Sequence, residues 1–429
     1  MVLVAEIAPK RHFGAVYGMV NLVFVATSAV GPVIGGAITT HSTWRWCFYL
    51  NVPAGACVIG VLAFLFPKAE SEAKMTLKDS LVRVDWLGLI FIVGASVVLI
   101  VPLQEGGSDF GWKSPTVIAM VAVGGLCWIA FASWEIFISR NPREPALLPM
   151  MPNRVAYQRV VGVCILNAFL TGIAFTSTVV YLPQRFQAVN DLSPVTAGIR
   201  ICPALVVSAF AATATGFVLS KKNICSYMMI AGTALQLLGL GLQSSLPTSA
   251  AVPPAAYGYQ AVLGLGLGTS LIASFVLARI EVRREDIAPT VGTITQVRVF
   301  GGVIGLVICR VTQQSYLRRH LPQIVTLDAT ETIVSSIAAI SHLAPETAAN
   351  VRRAYGEASN MQWRILAYIA AANLLIALFS WRRHPKPISD DPPSAEGNLE
   401  AAVPETDSAA TLTGADVAMT SLESSRDRK

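Results

Sequence analysis

Ten separate stretches of about 20 mostly apolar residues run along this chain of 429 residues, and they constrain its fold more than any other feature. A helix needs about 20 apolar residues to cross the roughly 30 Å hydrocarbon core of a bilayer, since each residue adds about 1.5 Å. Each stretch is therefore predicted to be a transmembrane helix. The predicted spans are 18–38, 47–66, 86–104, 115–138, 157–182, 195–219, 227–246, 257–280, 289–311 and 362–381.

Composition supports a membrane protein rather than a soluble one. Apolar residues make up 53% of the chain and charged residues 14%, whereas a soluble domain carries about 25% charged residues. The apolar runs are too long for barrel strands, and an open sheet cannot satisfy its backbone in lipid. We therefore predict an all-α, polytopic protein of about ten transmembrane helices, embedded in a lipid bilayer.

The net charge of +6 is distributed between loops in a way that indicates orientation and argues against nucleic acid as a partner. The short predicted outer loops carry three basic residues, Arg45, Lys113 and Arg185. Basic residues are enriched in cytoplasmic loops, which predicts a cytoplasmic location for both termini. The predicted inner loops carry Lys10, Arg11, Lys68, Lys74, Lys78, Arg83, Arg140, Arg143, Arg154, Lys221, Lys222, Arg283 and Arg284.

The spacing of the spans also predicts how the chain is divided. The loop 67–85 is either a linker between two helical halves or an ordinary inner loop, and the stretch 346–361 within the long outer loop could form an amphipathic surface helix. The tail is rich in Pro, Ser and acidic residues, a composition typical of disorder. The predicted parts are a cytoplasmic N-terminus (1–17), two spans (18–66), a cytoplasmic loop (67–85), a seven-span transport bundle (86–311), a long outer loop (312–361), the last span (362–381) and a disordered cytoplasmic tail (382–429).

The first span carries an unusual pattern of small residues. Thr27, Gly31 and Gly35 recur at four-residue spacing and so form one stripe without bulk, which lets helix backbones approach closely in lipid. A proline inside a helix bends or loosens it. The full pattern consists of Gly18, Thr27, Gly31, Pro32, Gly35 and Gly36.

This pattern resembles the antiporter signature of the major facilitator superfamily, with Thr27 where the family has glycine. The following segment, Trp44–Gly55, is similar to the junction after that span in the fourteen-span drug:proton antiporter branch, which includes fungal toxin and multidrug efflux pumps. The resemblance implies a carrier that exports an amphipathic organic compound, a drug, toxin or secondary metabolite, in exchange for protons. It also implies a plasma-membrane location, with a vacuolar membrane as the alternative.

In that branch the signature lies in the fifth span, so the resemblance implies that this chain corresponds to spans five to fourteen, a partial major-facilitator fold. The family's basic loop motif and its fourth-span arginine motif are not found here. The alternative is therefore a truncated membrane protein that does not transport, or one that regulates a full-length carrier.

Polar residues within the spans are the candidates for substrate binding. Arg298 lies about ten residues into its span, and an arginine at membrane depth usually faces a cavity or a partner. For Gln and Asn side chains, a hydrogen bond between helices is the competing interpretation. The predicted substrate-binding residues are Arg298, Gln296, Asn167, Arg200, Gln236 and Gln260.

Other chemistry is not indicated by the sequence. No carboxylate lies near the middle of any of the ten predicted spans, and Glu105 and Glu135 lie near span edges, so the proton acceptor is not evident. The seven cysteines contain no CxxC pair and are predicted to be free thiols. No cofactor, no metal site and no enzymatic activity are predicted, because neither metal-ligand spacing nor a catalytic motif occurs.

Overall fold

The computed structural model describes positions 23, 27, 30–31 and 34–38 of the first predicted span, together with residues 42–65, 85–105, 111, 113–140, 157–249, 251–283 and 286–382. Within these residues all regular structure is helical and no strand occurs. In the described part of the chain, eight helices are long and apolar enough to cross a membrane, and a shorter apolar helix covers Trp86–Pro102. The all-α prediction is confirmed. Gly18, Pro32, the N-terminus 1–17, most of the loop 67–85 and nearly all of the tail lie outside the described residues.

The part of the chain before residue 141, here called the front helices, contains four described helices. These are α1 (Trp46–Tyr49), α2 (Asn51–Leu65), α3 (Trp86–Glu105) and α4 (Pro115–Arg140).

Helices α3 and α4 form an antiparallel pair. Asp85 precedes α3, and its Oδ1 accepts hydrogen bonds from Gly88 N at 2.8 Å and from Trp134 Nε1 at 2.9 Å. Further along the pair, the Leu99 backbone approaches Gly124 so closely that a Cβ there would lie 3.0 Å from the Leu99 nitrogen. One polar anchor at the end and one small residue near the middle therefore hold α3 against α4.

Residues 157–382 form a second region, here called the C-terminal bundle. Helix α5 packs against α9, α10 and α12, while α9 also packs between α7 and α8. Its helices are α5 (Arg159–Asn190), α6 (Pro194–Arg200), α7 (Cys202–Lys221), α8 (Cys225–Gln243), α9 (Ala255–Glu281), α10 (Ile287–His320), α11 (Leu327–Ser335) and α12 (Pro345–Leu378).

The turn between α5 and α6 follows ordinary capping chemistry. Asp191 ends α5 in the left-handed conformation, φ 54°, and its N–H donates to the Phe186 carbonyl. The Ser193 hydroxyl accepts from Thr196 N at 3.3 Å, and Pro194 fills the first position of α6, where no N–H is needed. The predicted span 195–219 is therefore a short helix and a longer one, separated at Ile201.

The predicted outer loop 312–361 is largely helical. Helix α10 continues to His320 and α12 already begins at Pro345; between them lie α11 and the 3₁₀ turns Leu321–Gln323 and Ile337–His342. The stretch 346–361 is indeed a helix, but it is the first half of α12. Hydropathy finds only the apolar part of a helix, and charged residues in the extramembrane turns hide the rest.

These extensions form a cap with its own apolar core at one end of the bundle. Side chains from the end of α10, from α11 and from the start of α12 meet there, and the buried ones include Leu317, Leu321, Ile333, Val351 and Tyr355. The Tyr355 hydroxyl donates to the Ile333 carbonyl at 2.8 Å. The segment between the last two spans is thus a packed structure in its own right.

Candidate functional site

A buried polar cluster joins α5 to α9. The Asn167 amide nitrogen donates to Ser274 Oγ at 2.6 Å and lies 3.1 Å from Ser270 Oγ. All three side chains are buried. Asn167, one of the predicted substrate-binding residues, is therefore engaged in hydrogen bonds between helices. Such bonds are worth about 0.6 kcal/mol on average in membrane helices.

Thr171 extends this cluster to α8 and α12. Its Oγ1 accepts from Gln236 Nε2 at 3.4 Å and from Asn373 Nδ2 at 3.3 Å. Gln236 Nε2 also lies 3.3 Å from the Gly266 carbonyl. The side-chain oxygens of Gln236 and Asn373 have no partner among the described residues. The cluster thus combines direct contacts between helices with acceptors that are not satisfied by protein.

Gln260 differs from Asn167 and Gln236 although it is equally buried. Its amide nitrogen and its amide oxygen both have no hydrogen-bond partner among the residues that the structure describes. A direct bond between helices therefore does not explain this side chain.

Arg298 lies on α10 where that helix crosses α5. Its backbone carbonyl seats against Gly172, and a Cβ at that glycine would collide with the carbonyl oxygen. The Arg298 guanidinium carbon lies 5.8 Å from the centre of the Phe175 ring, within range of a cation–π interaction. Its Nε is buried and has no partner among the described residues. The side chain is thus held against an aromatic ring with a donor left available.

The remaining two candidates occupy different environments. Gln296 is exposed on α10, two residues before Arg298. Arg200 is half-buried at the end of α6, next to the break at Ile201. Asn167 and Gln236 therefore both bond to neighbouring helices, Asn167 to Ser270 and Ser274 and Gln236 to Thr171. Among the described residues, Arg298, Gln296, Arg200 and Gln260 make no hydrogen bond to these groups.

Glycines line the helix crossings of the C-terminal bundle. A Cβ at Gly264 would strike the Ala204 carbonyl oxygen, and one at Gly268 would strike that of Ser208, both on α7. On α10, Gly301 meets the Phe169 carbonyl of α5 in the same way. These glycines permit close helix contact, which is the use expected of small residues in lipid.

The small-residue stripe of the first span makes less contact. A Cβ at Gly36 would lie 3.1 Å from Val195 Cα at the start of α6, whereas at Gly31 or Gly35 it would meet no described atom within 4 Å. Thr27 is exposed, and its hydroxyl donates to the Val23 carbonyl of its own helix at 2.9 Å. Among the described residues, Gly36, which follows the stripe in the signature pattern, is thus the glycine of the first span that closely approaches the C-terminal bundle.

Buried acidic side chains lie near helix ends. They are Asp85 before α3, Glu135 near the end of α4, Glu281 at the end of α9 and Asp286 before α10. Glu281 pairs with Arg382 at 3.2 Å. In the described part of the chain, no group of three His, Cys, Asp or Glu side chains could hold a metal ion. Among the residues that the structure describes, no carboxylate thus lies with the polar cluster of Asn167 and Thr171.

Comparison with known proteins decides what kind of protein this is. The family model of the Major Facilitator Superfamily matches residues 1–306, well over half of the chain. The chain belongs to the Major Facilitator Superfamily. This match also establishes it as an integral membrane protein, in agreement with its apolar helices.

Fungal members of the superfamily are the relatives it resembles. The chain is 34% identical over 393 residues to the MFS-type transporter FPY5 of Fusarium mangiferae, covering 90% of this chain and 66% of that protein. It is 29% identical over 382 residues to the efflux pump dotC of Dothistroma septosporum, with coverages of 88% and 64%. It is 26% identical over 349 residues to the rubrofusarin-specific efflux pump aurT of Gibberella zeae, covering 80% of this chain and 62% of that protein.

The chain therefore spans somewhat less than two thirds of the length of these relatives. All three are transporters by name, in agreement with the prediction that this superfamily member is not an enzyme.

Sequence reasoning missed several buried polar residues of this superfamily member. Thr171, Ser270 and Ser274 connect the candidate residues, but short hydroxyl side chains are so common in membrane helices that they gave no signal. Gln243 and Trp363 lay near the predicted edges of spans, but both are buried in the structure, Gln243 at the last residue of α8 and Trp363 inside α12. A count of every polar residue in the spans, including Ser and Thr and those near span edges, would have included them.

Proposed function

We propose that this chain exports an amphipathic organic compound, a drug, toxin or secondary metabolite, in exchange for protons. Membership of the superfamily and the efflux-pump names of relatives such as dotC support this proposal. Two helical bundles would rock around a site at mid-membrane, as in other secondary carriers. The contact between Gly36 and Val195 is consistent with the first span lying against the C-terminal bundle during that motion.

The observation that carries the proposal is the environment of Arg298. A cation within a membrane protein is costly unless it faces a partner or a water-filled cavity. Here the guanidinium lies over Phe175 and its Nε has no protein partner among the described residues. A ring beside a cation suits an aromatic compound that carries an acidic or carbonyl group. Gln296 and Arg200 would contribute at the edges of the site, and Asn167, Gln236 and Gln260 from the bundle interior.

The residue that would accept the proton is not evident among the described carboxylates. None of the described carboxylates lies near the middle of a predicted span, and the buried ones cluster near helix ends. Proton coupling would therefore require a carboxylate outside the described residues, or one at a helix end such as Glu135. On the basis of the family resemblance we propose the plasma membrane, and on the basis of the basic loops we propose that both termini lie in the cytoplasm.

A second candidate function is a membrane protein that does not transport and instead associates with a full-length carrier. It is favoured by the exposure of the front helices, since no residue of the 18-residue apolar stretch within Trp46–Phe64 is buried. Such faces would require a partner or lipid to cover them.

Reconstitution of the purified chain into liposomes with an imposed pH gradient separates these candidates. The panel of compounds would consist of amphipathic aromatic metabolites and include rubrofusarin. We expect gradient-dependent movement of at least one compound, abolished by a protonophore. Movement of none of them, by folded protein in sealed vesicles, would reject transport and favour the second candidate.

The role of Arg298 is tested in the same vesicles. Arg298→Gln should raise the apparent KM for the transported compound about tenfold or more, because a hydrogen bond to a charged group is worth about 1.5–3 kcal/mol. Arg298→Lys keeps the charge, so its apparent KM should lie between those of the wild-type protein and the Arg298→Gln variant. The matched control is Arg364→Gln, since Arg364 is exposed on α12. Equal KM values for the Arg298 and Arg364 variants would remove Arg298 from the site.

A further inference from the structure

Three fully buried side chains in the C-terminal bundle have polar atoms that no described protein group satisfies. They are Gln243 on α8, Gln260 on α9 and Trp363 on α12, each 0% exposed. Both amide atoms of each glutamine and the Trp363 indole nitrogen have no hydrogen-bond partner among the described residues. They belong to three different helices, so no single local distortion explains them.

The helix register brings Gln243 and Gln260 to the same level. Helices α8 and α9 are antiparallel neighbours, and a Cβ at Gly239 would lie 2.6 Å from Leu263 Cα. Gln243 follows Gly239 by one turn, and Gln260 precedes Leu263 by about one turn. Because the two helices run in opposite directions, both steps lead toward the same end of the crossing.

Trp363 reaches this level from the third helix. The Asn360 amide nitrogen donates to the Leu246 carbonyl at 2.9 Å, which fixes α12 against the end of α8. Gln243, the last residue of α8, lies three residues before Leu246, and Trp363 lies three residues after Asn360 on α12. Trp363 also packs in the same apolar cluster as Leu240 and Leu263, which flank the two glutamines.

The chemistry of these groups defines what would satisfy them. Two amides and an indole provide five N–H donors and two carbonyl acceptors, all of them neutral. A buried polar group without a partner is costly, and native proteins satisfy such groups with protein or with ordered water. A charged ligand would find no opposite charge among these three side chains. Their complete burial requires an occupant small enough to be enclosed.

We propose that Gln243, Gln260 and Trp363 form an internal site for ordered water between α8, α9 and α12. The water bridges the three side chains and so links α8, α9 and α12 at this level. This site differs from the cluster around Thr171, where protein groups bond directly across the helix crossings.

A double-mutant cycle in the full-length chain tests the shared occupant. Methionine is close to glutamine in volume, so Gln243→Met and Gln260→Met remove the amides with little change in packing. Each should lower Tm by roughly 2–4 °C, because the water loses one hydrogen-bond partner and the remaining buried polar side chains then lose the bridging water. The double variant should lose less than the sum, since the same water is lost only once.

The matched control uses the same residue type on the same helix. Gln236 lies two turns before Gln243 and bonds directly to Thr171 and Gly266. Gln236→Met should therefore lower Tm, and its effect should add to that of Gln260→Met. If Gln243→Met and Gln260→Met instead add, or if each raises Tm, the side chains share no occupant and the proposal is overturned.

Water itself is detected by brief X-ray radiolysis of the wild-type protein in H₂¹⁸O, followed by mass spectrometry. We expect ¹⁸O on Trp363 despite its burial, and loss of that label in the double variant. Met229 is the internal control, since it is also 0% exposed and its sulfur is contacted by the Ser274 hydroxyl. If Trp363 carries no more ¹⁸O than Met229, water is rejected as the occupant. This holds whether or not an organic molecule is released when the protein is denatured.

Discussion

The front helices and the C-terminal bundle are built from similarly apolar helices, yet they are packed very differently. In the bundle, 61% of the 18-residue apolar stretch within Arg159–Asn190 is buried, and 67% of the corresponding stretch within Ala255–Glu281. In the front helices, the corresponding values are 0% for Trp46–Phe64 and 11% for Pro115–Ile138. Apolar composition therefore predicts that a helix enters the membrane, but it does not predict how much of its surface another helix covers.

Glycines express the same difference at the level of single atoms. At Gly172, Gly268 and Gly301 in the bundle, an added Cβ would collide with the backbone of a neighbouring helix. At Gly55 and Gly60 in α2, it would meet no described atom within 4 Å. A small residue permits close approach, but only a neighbouring backbone makes use of it.

The largest expected effect comes from adding a side chain at a glycine of the bundle. Gly268→Leu should prevent folding, or destabilise the protein by at least about 3 kcal/mol, because α9 must move away from the Ser208 carbonyl. The matched variant, Gly60→Leu in α2, should leave the protein folded. Size-exclusion chromatography in detergent and thermal unfolding would measure both.

A milder variant keeps this prediction testable if the leucine variant cannot be purified. Gly268→Ala should lower Tm by several degrees, whereas Gly60→Ala should leave it unchanged or raise it slightly, since alanine is the better helix former. Similar Tm values for the two alanine variants would mean that the packing difference between the regions is not energetically important.

A buried polar contact should produce the next largest effect. Asn167→Leu leaves the Ser270 and Ser274 hydroxyls without their partner between α5 and α9, at a cost of about 1–2 kcal/mol. Ser96→Ala in α3 is the comparison from the front helices. The Ser96 hydroxyl bonds only to the Ile92 carbonyl of its own helix among the bonds described, so its loss should cost under about 0.5 kcal/mol.

Thermal unfolding of the two variants gives the measurement. An Asn167→Leu variant as stable as Ser96→Ala would indicate that bonds within α9, such as that from the Ser274 hydroxyl to the Ser270 carbonyl, satisfy the hydroxyls without Asn167. The interhelical interpretation of Asn167 would then lose its support.

Much of the fold could be predicted from the sequence because lipid imposes one simple demand, an apolar helix about 20 residues long. The apolar part of α12 was found on this basis. Its first turns were predicted only as a separate surface helix, 346–361, since Arg352, Arg353 and Glu357 lie outside the apolar stretch although the helix continues through them. Hydropathy measures the membrane-embedded portion of a helix, whereas hydrogen bonding and packing in the cap determine where it begins.

The candidate site was predicted less well for a related reason. Residue type identified Asn167 and Gln236 as polar groups at membrane depth, but it could not distinguish a bond between helices from a contact with a ligand. That distinction depends on register, because Thr171 has to lie opposite Gln236 and Asn373 for the bonds to form. Register between helices is set by long-range packing, which a single sequence does not reveal.

Within the front helices, the small-residue stripe offers a sharper version of the comparison. Gly36→Leu should destabilise the contact with α6 by roughly 1 kcal/mol, because a Cβ there would lie 3.1 Å from Val195 Cα. Gly31→Leu should leave stability unchanged, since no described atom lies within 4 Å of its Cβ position. Transport should be impaired by either leucine if the whole stripe is used during rocking. Normal transport by well-expressed Gly31→Leu protein would remove Gly31 from that role.

The smallest expected effect lies on the surface of the C-terminal bundle itself. Arg318 Nη2 and Glu331 Oε2 form an ion pair of 3.0 Å in the cap, with side chains 36% and 63% exposed. Exposed pairs contribute about 0–1 kcal/mol and are screened by salt, so Glu331→Gln should lower Tm by at most a degree or two. The difference should disappear at high ionic strength, where the Debye length falls to about 3 Å. A larger, salt-independent loss would mean that the cap depends on this pair rather than on its apolar core, and that packing alone does not separate the bundle from the front helices.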